Sequence, residues 1–328
     1  MSFDNLKNIK IERLNLALLT LFTFLSLVFT IFVPFLGIVG LAVLPVPATL
    51  LILCGRIRDG TICAVIACIV IILLDYIIAP VAVILIIAVS FIYRNSISKD
   101  KSKLFTVSGI FLVFCGAALL YIILVSAIGR INFVSELFSS YNSYIDGMSG
   151  NQFISGYASL LSVDQSQFDL ILKQTQNSLR FIPYIAPGIL IVSFVTVSVI
   201  NYAATSAVLR RYNINIKPFL SFNELDLPWY YCWGAILGLV LVLVPSTGQN
   251  FDKLVDIIGF NLIIIFGLLY LVLGISVLWG ILGRFKVPFI WRISIFIILG
   301  LFFGFAILIL PFLGLIDIWV NFRRLKRG

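Results

Sequence analysis

The chain is predicted to be all-α: a polytopic membrane helix bundle of about eight or nine transmembrane helices. Three observations predict it. Of 328 residues, 61% are hydrophobic and only 11% charged, against about 45–50% and about 25% in soluble globular chains. The apolar residues gather in runs close to the roughly 20 that cross a bilayer core. Basic residues recur after every second run. Ten-residue segments of alternating hydrophobicity, the mark of a membrane β-barrel, are not seen, so helices are the expected spans.

Hydropathy places the spans near residues 14–36, 37–54, 61–79, 80–93, 104–129, 184–209, 229–246, 255–282 and 290–312. The first run lacks a small-residue cleavage site and leads straight into further spans, so it reads as a signal anchor. The second is interrupted by Pro45 and Pro47. Each proline removes a backbone donor, so a helix break is expected there. The fourth is short.

The charges assign sides. Lys7, Lys10 and Arg13 precede the first span, and Arg56 and Arg58 follow the second. Arg94, Lys99, Lys101 and Lys103 follow the fourth; Arg210, Arg211 and Lys217 follow the sixth; Arg284, Lys286 and Arg292 lie between the eighth and ninth. The opposite loops hold Arg130, Lys173, Arg180 and Lys253 among the acids Glu136, Asp146, Asp164, Asp169 and Asp252. By the positive-inside rule this gives a cytoplasmic N-terminus. The net charge of +9 is then a topology signal and not a sign of nucleic-acid binding. Nine spans would place Arg323, Arg324, Lys326 and Arg327 outside, against the rule. Either 311–326 turns back as a half-length helix after Pro311, or an earlier segment does not fully cross. A cytoplasmic C-terminus is expected.

Residues 130–183 form the one long polar region, read as an extracytoplasmic loop. Val134, Leu137, Phe138, Tyr141 and Ile145 recur at helical spacing, as do Phe168, Ile171, Leu172, Thr175, Leu179 and Ile182. Two amphipathic helices are expected, with Ser162 and Gln165 as a capping box before the second and Gly147, Gly150 and Gly156 marking turns. They would cap the bundle or cover an outward cavity. The domains are therefore a six-helix core over 1–210 that includes this loop, a cytoplasmic loop over 211–228, and C-terminal helices with a basic tail over 229–328.

Polar groups inside apolar spans are costly, so each is a candidate for function. Asp75 and Asp256 lie near outer span ends. Asp317 lies in the last apolar stretch, followed by Arg323 and Arg324, which suggests an interfacial ion pair. Asn201 and Asn261 are expected to hydrogen-bond between helices. Gly234 with Gly238 and Gly300 with Gly304 form Gly-xxx-Gly motifs that let helices approach closely. The five cysteines, Cys54, Cys63, Cys68, Cys115 and Cys232, lie in or beside spans and read as small buried apolar residues. There is no histidine, no P-loop, no Gly-x-Ser-x-Gly elbow and no metal-ligand cluster. No enzyme activity, metal or cofactor is expected.

Two stretches carry a resemblance. One is Leu209-Arg210-Arg211-Tyr212 with Pro218-Phe219, Leu227-Pro228-Trp229 and Trp233. The other is Leu313-Gly314-Leu315-Ile316-Asp317-Ile318-Trp319 with Phe322-Arg323-Arg324. Together they resemble the YybS-type bacterial membrane proteins, a family of unknown function. The first six spans, with Pro45-Val46-Pro47-Ala48 and the turn Gly55-Arg56-Ile57-Arg58-Asp59-Gly60, are similar to the substrate-binding S subunits of energy-coupling-factor transporters and to the cell-shape protein MreD. The S-subunit resemblance implies a six-helix core with a substrate pocket near the outer face, involving Pro45, Pro47, Arg56 and Arg58. The first helix departs from the Ala-xxx-Ala docking pattern of S subunits: over 16–25, only Ala17 is small and apolar. Two functions follow as expectations. One is a non-catalytic scaffold or assembly protein whose loop, with Arg210, Arg211, Pro218, Phe219, Pro228 and Trp229, meets a membrane or cytoplasmic protein. The other is a subunit that binds or transports a small, vitamin-like molecule.

Overall fold

The computed structural model describes residues 16–32, 37–69, 72, 76–148, 165–212, 214, 216, 225–244 and 250–325. Among them every regular element is helical. Asp75, Ser162, Gly150, Gly156, Lys217, Pro218, Phe219, Lys326 and Arg327, and the basic residues Lys7, Lys10 and Arg13, lie outside the described residues. The chain divides into two compact units: 1–180 with 193–219, and 181–192 with 220–328.

The first unit begins with α1 (Leu16–Phe32), α2 (Gly37–Val43), α3 (Val46–Leu53) and α4 (Ile57–Ile69). Pro45 and Pro47 divide α2 from α3 as the missing donors require. Gly55 ends α3 at φ 81, and the Arg56 N–H reaches back to the Leu51 carbonyl, which closes a Schellman-type turn. Every residue of α3 is buried. It is apolar all round because α1, α4 and the next helix, α5 (Ile78–Ser98), pack against it. Gly60 makes that approach close: a Cβ there would stand 3.1 Å from the Ala48 carbonyl oxygen.

Then come α6 (Lys103–Gly129), α7 (Phe133–Gly147) and α8 (Gln165–Leu179). Ser102 caps α6 by accepting from the Phe105 N–H (3.2 Å), and Asn132 caps α7 by accepting from Ser135 (3.2 Å). α7 and α8 fall on the two stretches whose apolar spacing is helical. They are tied by Tyr141 Oη to the Leu179 carbonyl (3.0 Å), Gln176 Nε2 to the Ile145 carbonyl (2.9 Å), and an Arg180–Asp146 ion pair. α9 (Ile182–Arg211) runs on through Pro187. Its later part adds Val197, Tyr202 and Leu209 to the first unit's core.

The second unit holds the start of α9, a 3₁₀ turn (Trp229–Tyr231), α10 (Cys232–Leu243), α11 (Asn250–Arg284), α12 (Phe289–Leu301) and α13 (Phe303–Val320). α10 runs antiparallel to α11. Gly234 lies under the Phe266 ring, Gly238 meets Leu262 and Ile263, and Gly259 meets Leu241 and Val242. The Gly234–Gly238 motif thus packs helices within the unit.

The end of the chain differs from expectation. The 290–312 run is two helices, divided at Phe302 rather than at Pro311. Pro311 lies inside α13, which continues through it. α13 runs parallel to α11: Leu310 and Gly314 meet Gly274, and Phe322 and Arg323 meet Arg284 and Gly280. The chain therefore reverses at Phe302, and residues 321–325 return to the end of α11. Gly300 and Gly304 flank the reversal with no atom near their would-be Cβ positions, so this second Gly-xxx-Gly brings no helices together. Among the described residues, five helices are long and apolar enough to cross a membrane: α5, α6, α9, α11 and α13.

Candidate functional site

Both units bury polar side chains that bond to one another and to backbone groups. In the first unit a cluster forms at the proline break. Asn201 of α9 donates from Nδ2 to the Ala42 carbonyl (2.6 Å) and accepts at Oδ1 from Tyr93 Oη (2.9 Å). Ala42 stands one residue before the end of α2, where the break frees carbonyls from their i+4 donors. Tyr93 stacks on Tyr202 with ring centroids 6.3 Å apart. Just below, Thr49 Oγ1 bonds the Pro45 carbonyl (2.8 Å) and Ser90 Oγ (3.0 Å). Ser96 and Thr106 pair through their hydroxyls. Asn201, Tyr93, Thr49 and Ser90 are all fully buried. Asn201 and the Pro45–Pro47 segment, which stand far apart in sequence, are thus brought together.

Arg56 and Arg58 lie apart from this cluster. Arg56 pairs with Asp59 at 2.5 Å in the first turn of α4, and Arg58 is exposed. Arg210 bonds the Ser206 carbonyl (3.2 Å), and Arg211 is exposed at the end of α9.

Replacing Asn201 by leucine would leave the Ala42 carbonyl and the Tyr93 hydroxyl buried without their amide partner. Each orphaned group costs about 1–3 kcal/mol. The variant is expected to unfold at clearly lower temperature than Asn201→Gln, which keeps both functions on a longer arm. Equal stability of Asn201→Leu and the native protein would contradict the assignment.

In the second unit, Asn261 of α11 engages α9. Its Oδ1 accepts from the Gly188 N–H (2.5 Å), and its Nδ2 donates to the Tyr184 carbonyl (2.8 Å). Those are the two ends of one helical i→i−4 step. The single amide supports the helix at Pro187, where a proline weakens the ladder. Asp256 is half-buried five residues earlier.

The other cluster of this unit is an ion pair. Arg323 donates to Asp317 Oδ2 from Nη2 (2.8 Å) and Nε (3.1 Å). Its Nη1 donates to the Leu225 carbonyl (2.7 Å) and Ser276 Oγ (3.0 Å). The two side chains are 2% and 0% exposed, so the pair is buried within the protein. Asn321, left-handed at φ 51, ends α13 and turns the chain back. The Arg323 stem lies over Gly280, where a Cβ would stand 3.0 Å from its methylenes. One guanidinium thereby joins α11, α13 and the 225–228 segment. Pro228 opens the 3₁₀ turn, whose Trp229 is 60% exposed.

Residues 20–318 match the family described as "Predicted membrane protein (DUF2232)". The chain belongs to DUF2232. Within this DUF2232 chain the match takes in these buried polar groups as far as Asp317, and ends short of Arg323. No curated protein and no solved structure matches the DUF2232 chain. Ser276, Leu225 and Tyr93 were missed by sequence reasoning. Tyr93 and Ser276 sit in apolar helices, where the signal was a lone polar side chain, and Leu225 acts only through its backbone.

Proposed function

We propose that this DUF2232 protein is a non-catalytic membrane scaffold or assembly protein that acts by holding a partner at the segment 211–228. The observation that carries this reading is what the buried polar groups bond to. Asn201, Tyr93, Thr49, Ser90, Asn261, Asp317 and Arg323 all spend hydrogen bonds on the protein itself. A substrate site keeps polar groups directed at its ligand; groups bonded to neighbouring helices hold a frame. Trp229 and Trp233, each 60% exposed beside that segment, supply aromatic anchors of the kind that dominate interfaces.

On this reading the shorter helices α1, α2–α3, α4, α10 and α12 complete a set of eight or more membrane passes. The ends of α9 and α11 and the 321–325 turn would face the cytoplasm, where their cations belong under the positive-inside rule. The likeness of the first six spans to transporter S subunits and MreD belongs to the same proposal. In-cell photocrosslinking from Arg211, Trp229 and Trp233 tests it. A discrete protein adduct is expected. If native membranes yield no adduct and a copurifying small molecule raises the melting temperature, the protein is instead a small-molecule binding subunit.

A further inference from the structure

The end of α11 and the returning C-terminal turn form a cationic surface that the scaffold reading does not use. α11 closes with a Schellman turn: Lys286 sits at φ 54, its N–H reaches the Gly283 carbonyl (3.0 Å), and the Val287 N–H reaches Leu282 (3.0 Å). This turn projects Arg284 and Lys286 outward, both exposed. Arg292 of α12 folds back over it. Its Nε donates to the Val287 carbonyl (2.7 Å), its guanidinium carbon lies 5.6 Å from the Trp279 ring centre, and its Nη1 lies beside Gly283. Arg284 Nη1 donates to the Phe322 carbonyl (3.1 Å), which brings the exposed Arg324 to the same place.

Four cations from three chain segments thus meet at one end of the second unit. Two acids of the same unit are engaged elsewhere. Asp317 is paired inside with Arg323, and Asp226 binds the Leu227 N–H (3.1 Å). Two of the guanidiniums are held by backbone carbonyls, so little side-chain entropy remains to be lost on binding an anion. Directly beside them, Phe285, Phe289, Ile290 and Trp291 are 64–75% exposed. Exposed aromatic and aliphatic side chains next to cations are the pattern of a protein surface at the headgroup level.

We propose that Arg284, Lys286, Arg292 and Arg324 form a binding site for the headgroup of an acidic phospholipid, whose acyl chains lie against Phe289, Ile290 and Trp291. The phosphate engages the two preset guanidiniums, Arg284 and Arg292, for which fork geometry suits a phosphate. Lys286 and Arg324 add charge that favours an anionic over a zwitterionic lipid.

The test uses the full chain in neutral detergent, with phosphatidylglycerol or phosphatidylcholine added at equal mole fraction. Retained lipid is counted by native mass spectrometry, and melting temperature is followed in parallel. Phosphatidylglycerol is expected to be retained several-fold more and to raise the melting temperature, with the preference falling as salt is raised. Glycerol phosphate alone should give no shift. The variant Arg284→Gln/Arg292→Gln/Arg324→Gln should lose the preference, while Arg58→Gln should keep it. Lys286→Gln and Arg324→Gln, at exposed positions outside the helices, serve where the triple variant folds poorly; each should weaken the preference. Equal retention of both lipids, a preference that survives these changes, or a shift given as fully by glycerol phosphate would overturn the proposal.

Discussion

Replacing Arg323 by alanine is expected to destabilise the protein by about 3–5 kcal/mol, the cost of leaving a buried charge without its partner. Asp317 is wholly buried on α13 and Arg323 supplies two hydrogen bonds to it. The same guanidinium also binds Ser276 and the Leu225 carbonyl. Lysine at 323 keeps the charge, but a compact ammonium cannot reach all three partners at once in the fork geometry, so an intermediate loss is expected. The double variant Asp317→Leu/Arg323→Met removes both charges together and should recover most of the stability, because apolar replacements of a buried pair are often neutral or better. Arg324→Ala, at an exposed neighbour, should be nearly silent. Melting temperature in detergent and steady-state level in membranes both report the order. If Arg323→Ala is no worse than Arg324→Ala, the pair carries no stability.

How much of this was legible depends on whether the signal was local. The break at Pro45 and Pro47 was, because a missing donor acts at its own position. The helices α7 and α8 were, because their apolar residues repeat at helical spacing. The reversal at Phe302 was not. It lies between Gly300 and Gly304 without a proline, while the nearby proline, Pro311, sits inside a helix whose packing on α11 holds it. The burial of Asp317 was half legible. The sequence shows a cation six residues on, but the backward turn needs Asn321 in a left-handed conformation. Asparagine tolerates that conformation better than most residues, and it was the available signal. In the candidate site, the Asn201 and Asn261 amides could be picked out as lone polar groups in spans. Their partners could not, because these are mainly backbone carbonyls and amides of helices far away in the chain.

The tightest helix contact was also invisible to a motif search, and it sets the second large effect. Gly274 on α11 and Gly314 on α13 have no glycine four residues to either side, so neither belongs to a Gly-xxx-Gly. Yet a Cβ on Gly314 would stand 2.5 Å from the Tyr270 carbonyl oxygen and 2.7 Å from the Gly274 nitrogen. A Cβ on Gly274 would strike the Leu310 carbonyl. These are backbone atoms and cannot swing aside, so the helices must separate. Separation would also pull Ile318 from Tyr270, Leu273 and Val277, the core of this unit, and draw Arg323 off Ser276. Overpacking typically costs about 1–3 kcal/mol, and the attached ion pair places Gly274→Ala and Gly314→Ala at or above the top of that range. Gly300→Ala and Gly304→Ala, which complete the motif but face open space, should change melting temperature little or raise it, since alanine favours a helix by about 1 kcal/mol over glycine. The two pairs of variants therefore differ in sign or size according to contact rather than motif, and the opposite order would mean that α11 and α13 do not meet at these glycines.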